Sequence, residues 1–442
     1  MSSVVRVNAV TINNIKNVRK GKFTTKSSFA TLKQADILGI YGQNGSGKTA
    51  VVEVFKLLKA LLSEEELPEL TTHLIYDGQE TAEISIDFIV SNKFGEYFVT
   101  YTANFGRGTK RFVALNESIT YRENLKNRRM KVLVAKEDAE IFVRTKKVNE
   151  MVEKHRVPLL VAERMSSKNG TSFVFRRELG EVFEALLTAE EMEIMRTLLI
   201  DFEQDLHVID EVYYGLLVAN IVMPFNIHLE NARGRIPYEM NETMLLPISV
   251  FTSLKNVVNQ INIVLNNIIP GLTIKVNERN TETMDDGESG VRFEFLSKRG
   301  NTELPLRCES SGILKVISIL STLIAVFNNK NACVVIDELD AGVFEYLLGE
   351  ILEILDEGGR GQLIFTSHNL RLLEVLSVSN MWFTTVNEDN RYIQLKGVKQ
   401  LSNVRDIYLR AVQLGGQNEE LYKETDSYNI KTSFRKAGLT NA

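Results

Sequence analysis

The chain opens on an alternating apolar run, Val4 to Ile12, which predicts a half-buried strand. A polar, basic stretch separates it from the continuous apolar run Ile37-Leu38-Gly39-Ile40, a buried strand that ends in a glycine-rich turn. Behind that turn Val51, Phe55, Leu58 and Leu62 recur at near-helical spacing, so the pattern predicts a helix with one face committed to a core. Residues 81 to 104 alternate through EISIDFIV and EYFVTYTANF around the polar turn Ser91 to Gly95, which predicts an antiparallel hairpin.

From about 120 to 245 the pattern predicts mainly helices and loops, with a capping box at Thr188 and Glu191 opening one helix. No heptad is sustained there, so a long coiled-coil arm is not expected. A helix over about 249 to 269 carries Phe251, Leu254, Val258, Ile261, Leu265 and Ile268 on one side and stops at Pro270-Gly271. Strands LTIKV and VRFEFL follow; NERNTETMDDGESG between them reads as a solvated hairpin loop, with Asp285, Asp286 and Glu288 assigned no chemistry. Residues 313 to 400 alternate helix and apolar strand, the order of an α/β sheet with helices on its faces.

Composition narrows the class without changing this outline. With 442 residues, 44% apolar and 25% charged, the chain is globular and buries one large core or two ordinary ones. A net charge of -5 argues against a surface basic throughout; the short runs Lys126 to Lys131 and Arg144 to Lys147 leave local DNA contact open, although such runs are usually solvated surface. Cys308 and Cys333 make no metal spacing, and Cys333 in its apolar run reads as a reduced buried thiol, which fits a cytoplasmic protein. The N-terminus lacks the order of a signal peptide. The longest uncharged stretch, Val212 to Ile227, is shorter than a membrane span, so no membrane contact is expected.

The sharpest chemical signal is GQNGSGKT, which fits G-x-x-x-x-G-K-[ST] and sits between a predicted strand and a predicted helix. Main-chain N–H groups from Gly42, Asn44, Gly45, Ser46 and Gly47 would face the phosphates of ATP, helped by the positive end of the helix. Lys48 would reach the β- and γ-phosphates and Thr49 would give its hydroxyl to Mg²⁺.

A second signal is the strand Ala332 to Ile336, ending in Asp337 and Glu338. Acids at the carboxyl end of a buried strand suit Asp337 to hold Mg²⁺ through water and Glu338 to polarise the attacking water. In FTSHN, His368 follows one helix and one strand later, which would bring it to the same sheet edge. Glu309-Ser310-Ser311-Gly312 precedes a nearly all-apolar helix; alone this is an N-cap, but serine and glycine at a helix N-terminus also form an anion site.

Together these motifs resemble the ABC-type ATPases of the SMC, RecF and OLD group, nearest to the ATPases of bacterial anti-phage systems such as AbiLi, PtuA and AriA. The resemblance covers roughly residues 1 to 110 and 245 to 400. It implies an α/β P-loop NTPase head, a mixed sheet with flanking helices and an antiparallel β lobe. Residues 1–119 and 246–400 would be its halves, 120–245 a mainly helical insertion and 401–442 a helical tail. It also implies that Asp340 is the D-loop acid, that His368 is the switch histidine, and that Ser310, Ser311 and Gly312 act across a dimer.

Two features depart from the pattern: Gly312 is followed by Ile313 where a second glycine is usual, and Gln79 is the candidate Q-loop residue by position alone. The expected function is a homodimeric or larger ATPase switch in phage defence, controlling a separate effector protein. The alternative is a RecF-like DNA-repair clamp. The long insertion between P-loop and serine motif argues against a transporter subunit, and the serine motif ahead of the acidic strand argues against a hexameric motor.

Overall fold

The computed structural model describes residues 3–67, 73–107, 112–137, 140–210, 222–229, 232–396, 403–423 and 426–439. Its centre is a six-stranded sheet in the order Leu206–Ile209, Cys333–Ile336, Gln362–Ser367, Asp36–Tyr41, Met381–Thr384, Tyr392–Ile393. All neighbours pair in parallel except the last two strands. Alternation decides which face each residue serves. Leu38, Ile40, Cys333, Val335 and Ile364 enter one hydrophobic cluster, whereas Ile37, Tyr41, Val334, Ile336, Leu363 and Phe365 enter the other. Both faces are therefore buried, which is why these strands read as continuous apolar runs.

The first face is covered by the helix Lys48–Leu62, in which Val51, Phe55, Leu58 and Leu62 are all buried, and by an eight-stranded antiparallel sheet. That sheet contains the expected opening strand, Val4–Ile15, and the expected hairpin, Thr81–Ser91 with Glu96–Arg107. The second face is covered by helices Ile248–Ile268, Ser311–Asn328 and Glu345–Gly358. Helix Ser311–Asn328 has the length and mean hydropathy, 1.8, of a membrane span, yet 67% of it is buried inside the protein.

Two expectations from the sequence are corrected. Among its described residues the stretch 120–245 mixes strand with helix and is not a mainly helical insertion. Strand Phe112–Glu123 runs through its proposed boundary, and Lys131–Glu137, Glu140–Val143 and Lys146–Lys147 extend the antiparallel sheet. These strands are short, charged at their ends and shifted in register at Ile119, so their alternation was too brief to read. Leu206–Ile209 joins the central sheet, and the hairpin Val222–Leu229 with Ala232–Glu239 puts Met223, Phe225 and Tyr238 into the second cluster. The helices Glu153–Asn169 and Ala189–Arg196 do lie here, the latter opened by the Thr188–Glu191 capping box.

Second, most of the supposed loop NERNTETMDDGESG is strand: Leu272–Thr283 pairs with Ser289–Arg299, leaving only 284–288 to turn. Cross-strand partners hold this polar ribbon together, Asn277 and Arg279 on Glu294 and Arg292 on Glu282. Most of the uncharged stretch Val212 to Ile227, residues 212–221, lies outside the described residues.

Candidate nucleotide-binding site

The P-loop leaves the carboxyl end of Asp36–Tyr41, and Gly47, at a φ of 98°, turns the chain into the helix that begins at Lys48. Only glycine takes that backbone geometry without strain. The Lys48 ammonium is curled into the loop, donating to the carbonyls of Gly42 at 2.9 Å and Gln43 at 3.0 Å. The Ser46 hydroxyl is turned inward to Gln43 and Thr384, and its main-chain N–H bonds to the carbonyl of Gln43 at 3.3 Å. Asn44 and Gly45 are exposed at the loop tip, and the carbonyl of Gly45 accepts from Asn17. Tyr392 braces the base of the loop through the carbonyl of Gly47 at 2.8 Å.

The central strand Gln362–Ser367 lies between the P-loop strand and the acidic strand, and its Thr366 ties the site together. The Thr366 hydroxyl donates to Oδ1 of Asp337 and accepts from the main-chain N–H of Glu338 at 2.8 Å. Asp337 is buried, and burial raises its carboxyl above the usual value; the Thr366 bond and the charges of Lys16 and Lys48 work in the opposite direction. Its Oδ2 is buried without a hydrogen-bond partner, as is Oδ1 of Asp340. Orphaned carboxylate oxygens of this kind call for an explanation, and a cation held partly through water is one.

Among the described residues no group of three or more His, Cys, Asp or Glu side chains is placed to hold a metal. Thr49 is half-buried and Asp337 buried, and they are the hydroxyl and the carboxylate that would hold a Mg²⁺ bound mainly through phosphates and water.

Glu338 sits at a φ of 46°, in the left-handed region, with its carboxylate 3.7 Å from Nε2 of His368. The main-chain N–H of His368 donates to Asp340 at 3.2 Å, so the three residues share one corner. Facing them is the start of helix Ser311–Asn328. Ser310 is its N-cap, accepting from the N–H of Ile313 at 3.4 Å, while Ser311 is exposed. A Cβ on Gly312 would stand 2.2 Å from the carbonyl oxygen of Gly342, so glycine is required there for the helix to meet the loop after Asp340.

The structure thus brings together Asp337, Glu338, Asp340 and His368, and seats Gly312 against the loop that follows Asp340. The main-chain N–H of Gln79 bonds to the carbonyl of Tyr76. The basic runs are partly neutralised, Arg128 and Lys131 by Glu123 and Lys147 by Glu140. Two residues went unassigned in the sequence. Thr366 lay inside the quoted FTSHN motif, and Lys315 had a readable signal as the lone charge in an otherwise apolar helix.

The family model described as "AAA domain, putative AbiEii toxin, Type IV TA system" matches residues 37–374. No curated protein matches the chain. Among solved structures, an SMC head bound to the C-winged helix domain of ScpA is similar with a TM-score of 0.45 at 12% identity, over 88% of this chain and 98% of that one. The SMC head domain from Thermotoga maritima is similar with a TM-score of 0.40 at 13% identity, over 88% and 99% of the two chains.

Proposed function

The chain belongs to the AAA-domain family of putative AbiEii toxins of type IV toxin–antitoxin systems, and from that footing we infer that it is an ATP-hydrolysing switch. The observation that carries this reading is the Thr366 hydroxyl, which fixes Asp337 and Glu338 at one edge beside the P-loop. The P-loop main chain and Lys48 bind and orient the phosphates, Lys48 by exchanging its two carbonyl partners for phosphate oxygens. Bound Mg²⁺ would supply charge neutralisation of the β- and γ-phosphates, with Thr49 and Asp337 as its protein partners. Glu338 takes the proton of the attacking water, and His368 beside it meets the γ-phosphate.

One P-loop and one displaced serine motif leave each chain with half of two sites. Dimerisation through ATP completes them, Ser311 of one copy meeting the nucleotide of another, since Ser310 is engaged as its own helix cap. The open and closed dimers would present different surfaces to a separate effector, and an anti-phage role is the biological setting this suits. The RecF-like clamp is disfavoured because the basic runs already face glutamates.

Thermal shift with ATP and Mg²⁺ tests the site. A hundredfold excess over the dissociation constant should stabilise the chain by about 2.7 kcal/mol. Lys48→Ala should abolish that gain, and an undiminished shift would refute the assignment. Glu338→Gln should accumulate as the ATP-bound dimer. Ser311→Arg should bind ATP without engaging a second head; turnover at the parental rate in that variant would refute the shared site.

A further inference from the structure

An apolar groove of about 470 Å³ lies between helices Ile248–Ile268, Ser311–Asn328 and Glu345–Gly358, on the outer side of the second core cluster. Its walls include Ile263, Ile324, Phe327, Ile351 and Ile354, of which Ile263 is 71% and Ile354 59% exposed. One wall is strongly acidic. Helix Glu345–Gly358 carries Glu345, Glu350, Glu353, Asp356 and Glu357 and no basic residue. Glu350 lines the groove, Glu353 and Glu357 are exposed beside it, and none of these three forms an ion pair among the described residues.

The last helix, Ser427–Leu439, has the opposite character. It carries Lys431, Arg435 and Lys436 and no acid, and these bases make no ion pair among the described residues. Ile430 and Phe434, one turn apart, share a face with nothing over it; Phe434 is 77% exposed. An amphipathic helix with two apolar anchors flanked by bases is the complement of an apolar groove rimmed by carboxylates. Its own groove is poorly placed to receive it. The carbonyl of Glu420 accepts from the N–H of Val386 at 2.7 Å, just past Met381–Thr384 on one flank of the central sheet, and only residues 421–426 intervene before the helix.

We propose that helix Ser427–Leu439 of one copy docks in the groove of a second, the exchange being reciprocal and independent of nucleotide. This is a two-fold contact in which Ile430 and Phe434 fill the groove and Lys431 and Arg435 meet Glu350 and Glu353. It is a different surface from the head contact proposed above, so each can fail without the other.

Sedimentation velocity of the full chain in EDTA without nucleotide, at micromolar concentrations, provides the test. The chain should be a dimer that weakens with added salt, and should stay dimeric with Ser311→Arg. Phe434→Asp should raise the dissociation constant about tenfold or more. Glu350→Lys with Glu353→Lys in one chain, and Lys431→Glu with Arg435→Glu in another, should each leave a monomer. An equimolar mixture of those two chains should recover the dimer, because each mismatched helix then finds a matching groove. All of the substituted positions are exposed, so the variants leave the core intact.

A nucleotide-free monomer at every concentration overturns the proposal. So does a dimer untouched by these substitutions, or a mixture that stays monomeric. Pelleting of a monomeric chain with phosphatidylglycerol vesicles, lost with Phe434→Asp, assigns the helix to a lipid surface and overturns it too.

Discussion

Lys315, one turn into the serine-capped helix, extends its ammonium to within 3.4 Å of the main-chain carbonyl of Glu338. It thereby links the helix that begins at Ser311 to the acid proposed to accept a proton. Burial pushes this ammonium down to about 8, against the pull of Asp340, Glu338 and Asp337. The charge costs more in the fold than the neighbouring acids return.

Stability without nucleotide should therefore depend on pH in a defined window. The unfolded lysine keeps its proton up to about 10.5, whereas the folded one releases it near 8. Between those values the unfolded state holds more protons, so stability rises with pH; below 8 the penalty is present in full. Lys315→Met should stabilise the protein by about 1–3 kcal/mol at pH 7 and flatten that rise. Urea unfolding in EDTA from pH 7 to 10 measures both, and parallel curves for the two proteins would contradict the burial argument.

Glu338 offers a second separation of stability from activity. An L-residue at a φ of 46° carries a left-handed cost of about 1–2 kcal/mol, and glycine does not. Glu338→Gly should raise the unfolding free energy by about 1 kcal/mol while turnover is lost. Glu338→Gln should lose turnover without that gain. Equal stability of the two variants would mean that the backbone is not strained.

The P-loop, the acidic strand and the central parallel sheet were legible because both sheet faces are buried and each motif closes an apolar run. Lys131–Glu137 was not, since four apolar residues between charged ends carry too little period to separate strand from helix. The polar half of Leu272–Thr283 was not either, because partners 10 to 17 residues away, such as Arg292 and Glu294, make it a strand. At the site, Asp337 and Glu338 were visible as residue types, but the threonine that orients both acts across neighbouring strands.

Thr366→Val should expose how much that threonine contributes. The change keeps the shape but leaves Oδ1 of Asp337 and the N–H of Glu338 without their shared partner, a cost of about 1–3 kcal/mol. Turnover should fall further than ATP affinity, because the P-loop is untouched. Thr366→Ser should restore both. A valine variant of parental stability and rate would remove Thr366 from the site.

The two thiols should react unequally. Cys308 is exposed, while Cys333 is buried in the central sheet, where burial pushes its thiol up to about 12. A thiol held protonated in a dry core is a poor nucleophile. Titration with a disulfide reagent at pH 8 should release one equivalent from the native chain and two in guanidinium. Two equivalents from the native chain would show that the sheet opens on the timescale of the assay.

Gly312→Ala sets helix propensity against packing. Within a helix, glycine to alanine normally stabilises by roughly 0.5–1 kcal/mol. Here the added Cβ would stand 2.2 Å from the carbonyl oxygen of Gly342, a main-chain atom that cannot swing aside. Overpacking of that kind costs about 1–3 kcal/mol and outweighs the gain, so the variant should be less stable in thermal unfolding. The displacement has a direction as well. Gly342 follows Asp340, whose carboxylate holds the N–H of His368, and the N–H of Val343 is tied back to the carbonyl of Asp340. Pushing this turn away from the helix moves the acid and the histidine together, leaving Lys48 and its loop in place. ATP affinity should stay within about threefold while turnover falls by tenfold or more, about 1.4 kcal/mol of barrier. A stabilised variant with parental turnover would show that the loop after Asp340 does not depend on its contact with Gly312.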